Sequence, residues 1–166
     1  MPTNILLAIP LMMILTVLQT AVLPYFPLFG VSPSLPFLVA LAWGLLRGIN
    51  EGVVWAFVAG FFMDLFTAAP IGGMALTYMI AVLAATFINE LLPRNHTVIP
   101  MLMAAIATVI QQLLYAIYLG LFGYRIAPMI TSSLLPTVLL QALLILPIYW
   151  LLYLLQRAVW PRRVEV

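Results

Sequence analysis

Charge is almost missing from this chain, and that feature alone removes most of the folds open to 166 residues. Six arginines and four acids make up 6% of the sequence, against 66% for the hydrophobic types. A water-soluble domain carries roughly a quarter charged residues, and a disordered one needs the opposite balance. The chain therefore reads as an all-α integral membrane protein. About 20 apolar residues cross a hydrocarbon core of about 30 Å. The length accommodates a six-helix transmembrane bundle with short connections, read as one transmembrane domain over residues 1–166. The net charge of +2 is small, and its cationic side is all arginine, so no nucleic-acid surface is expected. Cysteine is absent and His96 is the single histidine. Thiol chemistry is excluded and a zinc site is not expected; no cofactor is implied. The start, MPTNILLAIP, lacks the basic region and cleavage site of a signal peptide, so the first apolar run reads as a retained helix.

The runs divide at prolines, glycines and arginines. The first span covers about residues 5–23, with Pro10 expected to bend it. PYFPLFGVSPS, residues 24–34, cannot continue a helix but is apolar, which suits an interface packed on the bundle. The second span is short. Ser34 is placed to cap it and Pro36 suits its first turn. It then has about 13 residues before Arg47, roughly 20 Å at 1.5 Å per residue. Either it begins near Pro33 or the preceding loop dips into the membrane. The remaining spans cover about 51–67, 71–91, 98–122 and 134–156, with Pro136 near the start of the last and Pro147 as a kink. Residues 123–133 read as an interfacial connector.

Six spans with both termini cytosolic put Arg47, Arg94, Arg157, Arg162 and Arg163 inside and Arg125 outside, which satisfies the positive-inside rule. Trp43, Trp55, Trp150 and Trp160 then fall toward the cytosolic ends, at headgroup level. The arginine-rich tail reads as a stop and anchor, or as a dock for a cytosolic partner.

Asp64 is an acid inside a span, and such residues face the bundle interior and find partners. Stepping back by fours from it gives Gly60, Ala56 and Gly52, one helical face of small residues on which another helix packs closely. Pro70, Gly72 and Gly73 force a turn just beyond. Asp64 is expected to be answered within its own chain, first by the turn and the amides opening the fourth helix, and second by Arg125. Thr67 and Thr77 are further donors. Gln111, Tyr115 and Tyr118 share a face of the fifth span, with Gln112 offset, and read as interhelical glue. Glu90 and Arg94 form an i, i+4 pair. No nucleophile elbow, metalloprotease motif or paired carboxylates are present, which argues against an enzyme.

The stretch LLRGINEGVVWAFVAGFFMDLFTAAPIGGMALTYMI resembles the rod shape-determining protein MreD family. The resemblance rests on Gly48, Gly52, the Gly60-x-x-x-Asp64 pair, the Pro70-Ile71-Gly72 turn, Ala75-Leu76, and the early Gln19-Thr20. Phe62 departs from the pattern, where a smaller residue is more familiar. The resemblance implies a non-catalytic scaffold of the bacterial cytoplasmic membrane. Such a scaffold binds MreC and, with it and the MreB filament, positions RodA and a class B penicillin-binding protein in peptidoglycan synthesis. Residues 24–34 and 123–133 are then the expected partner surface, with Tyr25, Phe26, Phe29 and Tyr124 as its aromatic contacts. The family is also similar in fold to the substrate-binding subunits of energy-coupling-factor vitamin transporters, which supplies the alternative function. Those subunits dock through an Ala-x-x-x-Ala pair on the first helix, where this chain has Ala8 and Met12.

Overall fold

The structure, a computed structural model, describes residues 2–25, 31–68, 70–92, 98–124 and 127–159, with side chains described except at 2–6, 127–133 and 158–159. These residues form α1 (Pro2–Ala21), a 3-10 turn (Leu23–Tyr25), α2 (Leu35–Arg47), α3 (Ile49–Phe66), α4 (Gly73–Leu91), α5 (Val98–Leu121) and α6 (Ala127–Val159). Five of the helices are long and apolar enough to cross a membrane, and α2 is the short one.

The short helix is the hub. α2 touches each of the other five, which follow one another around it in the order α1, α3, α4, α5, α6. Neighbours in that order pack together, but among the described residues α1 and α6 do not meet. Nine consecutive residues of α2, Pro36 to Gly44, are buried. A helix apolar on every side belongs in a core, and one wrapped by spanning helices need not match the bilayer thickness itself. The shortness of the second span therefore needs no earlier start, and α2 begins at Leu35.

The outer helices bury single stripes. Among the described side chains of α1, Ala8, Met12, Thr16 and Gln19 are buried, while Met13, Ile14, Val17 and Leu18 are exposed for lipid. On α6, Gln141, Ile145 and Leu152 face inward, and Leu135, Leu139, Leu143 and Leu151 face out. The ring of apolar exposure that would be fatal in water is what a bilayer requires.

Four features depart from the sequence reading. Ser34 gives α2 no side-chain cap; Gln19 supplies it instead, its Oε1 accepting from the Leu35 amide at 2.7 Å. Trp43 and Trp55 face into the bundle and not outward to lipid: each is 3% exposed, and their rings stack at 4.4 Å. Trp150 is exposed, while Trp160 lies outside the described residues. The connector at 123–133 is shorter than expected, because α6 starts at Ala127 and runs unbroken through Pro136 and Pro147. Finally, α1 starts at Pro2 and ends at Ala21, with Pro10 inside it.

α2 and α3 are joined by one residue, Gly48, at φ +98° and ψ 176°. That conformation is open essentially to glycine alone. Its N–H closes α2 on the Gly44 carbonyl at 2.8 Å, and its carbonyl accepts from Gly52 at 3.1 Å to open α3. The reversal is tight enough that a methyl on Gly52 would meet the Gly44 backbone at 2.5 Å. Across this joint Arg47 and Glu51 form a forked ion pair at 3.2 Å, and Trp43 Nε1 donates to Glu51 at 3.0 Å.

Candidate functional site

The site is built on the small face of α3. Gly52, Ala56, Gly60 and Asp64 are all buried. Without a side chain at Gly60, the start of α4 comes so close that any Cβ there would overlap the Ala75 backbone. This approach carries the Asp64 carboxylate, 2% exposed, under the first turn of α4.

The carboxylate is met by three amides. Gly72 N–H donates to Oδ2 at 3.0 Å, Met74 N–H to Oδ1 at 2.9 Å and Ala75 N–H to Oδ2 at 3.0 Å. The first four amides of a helix have no partner within it. Here Gly72 is the N-cap residue and has no side chain to offer, so the cap comes from the neighbouring helix. The Leu76 amide then makes the first bond of the helix itself, to the Gly72 carbonyl at 3.0 Å. A carboxylate at a helix N-terminus also meets the positive end of the helix dipole. Gly72 sits at φ +102°, a left-handed turn that glycine adopts without strain.

Tyr118 of α5 closes the turn from above. Its hydroxyl lies 3.3 Å from the Pro70 carbonyl oxygen and 3.4 Å from that of Ile71, and its ring covers Gly73, where a methyl would collide with it. Tyr78, one turn into α4, reaches Ser34 Oγ at 2.6 Å and so ties α4 to the entrance of α2. Gln19, Ser34, Tyr78, Asp64 and Tyr118 thus fasten five segments together at one end of the bundle.

The other sequence candidates are placed as follows. Thr67 and Thr77 turn to backbone carbonyls of their own helices, Met63 at 2.8 Å and Gly73 at 2.8 Å, and do not donate to Asp64. Tyr115 and Tyr118 stack at 6.5 Å; Gln111 is buried and Gln112 half-buried. Tyr25 is 80% exposed and Tyr124 50%. Arg125, Phe26, Phe29 and Arg94 lie outside the described residues. Sequence reasoning missed the Gln19 cap, the Ser34–Tyr78 bond and the 2.6 Å bond from Thr108 to Gln141 that links α5 to α6. The Arg47–Glu51 pair was open to detection, being four residues apart.

All this defines a polytopic membrane protein whose deeply buried acid is spent on its own backbone. The model of one family, the rod shape-determining protein MreD, matches residues 2–159, and the chain belongs to that family. It is a multi-pass protein of the bacterial cytoplasmic membrane with a role in rod-shape determination. Comparison with curated proteins and with solved structures returned no match.

Proposed function

We propose that the chain is a non-catalytic adaptor of the cell-elongation complex. It holds MreC through its surface at the Asp64 end and, with MreC, helps position RodA and its penicillin-binding partner. Both termini are cytosolic in this reading, so the Asp64 end faces outward. The observation that carries it is the engagement of Asp64. A carboxylate that takes three amides at 2.9–3.0 Å is a structural pin, and it has little capacity left for a solute or a proton relay. Tyr25 and Tyr124, exposed at the same end, supply amphipathic ring surface of the kind enriched at partner contacts.

The transporter alternative is disfavoured by α1. The face bearing Ala8 and Met12 is buried against the bundle, so it is turned away from any coupling subunit. The test is co-isolation of the tagged protein from detergent. Recovery of MreC supports the adaptor; recovery of an ATPase pair or a retained vitamin overturns it. Tyr25→Ala with Tyr124→Ala should cut MreC recovery while leaving the melting temperature unchanged. A matched loss of both would move these tyrosines from the partner surface into the fold.

A further inference from the structure

The end of the bundle opposite Asp64 holds a cavity of about 230 Å³ between the last turn of α2 and the last turns of α4, with Gly44, Gly48, Thr86, Asn89 and Glu90 on its wall. Its polar wall carries the Glu90 carboxylate, the Asn89 amide and the carbonyls that end α2, together with Arg47. α2 ends here, and the helix supplies no donor to the carbonyls of Leu45, Leu46 and Arg47. The Thr86 hydroxyl is turned to the Val82 carbonyl of its own helix at 2.6 Å, and its methyl group faces Gly44. Glu90 Oε1 leans over the Gly48 backbone, 3.9 Å from where a Cβ would stand. Among the described residues no hydrogen bond or ion pair is made by the Glu90 side chain. The cationic wall residue, Arg47, directs Nε and Nη2 at Glu51. A cation carrying N–H groups is what such a wall selects.

The surroundings identify its source. Leu83, Phe87 and Leu91, spaced by four along α4, are exposed beside Glu90 and form an apolar track leading away from the cavity along the membrane-spanning surface. A small soluble amine has no use for that track; an acyl chain does. We propose that the cavity binds the ethanolamine headgroup of a phospholipid. Its ammonium bonds to Glu90, Asn89 and the carbonyl end of α2, and its chains lie along Leu83 and Phe87.

Native mass spectrometry of the intact protein, titrated with phosphatidylethanolamine, phosphatidylcholine and phosphatidylglycerol of identical chains, tests this. A charge-assisted hydrogen bond should favour ethanolamine about tenfold over the other two headgroups. Glu90→Gln should abolish that preference at unchanged melting temperature, because Glu90 is exposed. Equal retention of all three lipids by the wild type overturns the proposal without recourse to any variant. So does choline bound as well as ethanolamine, since choline has the charge but no N–H. An undiminished preference in Glu90→Gln overturns it too. A preference that appears only after Arg94→Ala also overturns it, for the cavity would then belong to the chain's own guanidinium.

Discussion

Asp64 does at residue scale what a serine or aspartate N-cap does for an ordinary helix, but from a different helix. Gly72 is needed at the cap position for its φ of +102°, so the acceptor has to come from elsewhere. Replacing Asp64 by alanine leaves three amides without a partner, that of Ala75 fully buried and those of Gly72 and Met74 partly so. Each such group costs about 1–3 kcal/mol, so Asp64→Ala should destabilise the bundle by about 3 kcal/mol or more, read as a large drop in detergent melting temperature. Asp64→Asn keeps one acceptor oxygen but sets an N–H₂ against the amides, and should fall between. MreC recovery should fall together with stability in both; loss of recovery at full stability would place Asp64 in the partner contact itself. Gly48→Ala tests backbone conformation alone, as nothing but Glu90 lies near the added methyl. The strain of φ +98° should cost about 1–3 kcal/mol, measured the same way.

Among the elements, α2 is the one whose behaviour follows least from its own sequence. Its apolar composition is uniform, so no stripe marks which neighbour it faces. Its burial on all sides is a property of the five helices around it. The Gln19 cap shows how α1, otherwise a peripheral helix, is registered on this hub. Gln19→Leu is close in size but leaves the Leu35 amide bare, and should cost about 1–3 kcal/mol. Hydrogen exchange should localise the effect to the first turn of α2; uniform loosening of all helices would refute a local cap. The meeting of Asp64 with the start of α4, by contrast, was legible, although Gly52 at the other end of the same face packs on Gly44 of α2. Glycines and alanine four apart ending on an acid mark a close-packed face, and the Pro70–Gly72 turn limits what can lie against its end.

At the scale of the molecule, the bundle has two differently built ends. One is fastened by backbone capping through Asp64 and Gln19; the other by the Arg47–Glu51 fork beneath two stacked indoles. In the proposed topology, with both termini in the cytosol, the first end lies outside. The chain has no cysteine of its own, so single replacements report cleanly. Ile71→Cys, at a position 72% exposed, should react with an impermeant maleimide in intact cells, and Glu90→Cys only after permeabilisation. The reverse pattern would invert the topology and with it the partner assignments.

The sequence alone determined that this chain lives in a bilayer, how many helices it forms and that α3 presents its small face to a neighbour. These follow from composition and short-range spacing, which act within a few turns of one helix. Only the tertiary structure decided which helix is the hub, that Gln19 caps α2 in place of Ser34, and that Trp43 and Trp55 stack inside the bundle. Those outcomes depend on side chains brought together from distant segments, and in a chain this uniformly apolar many pairings satisfy the same hydrophobic pattern. The choice among them falls to a few polar groups and glycines, whose partners become visible only once the helices are in place.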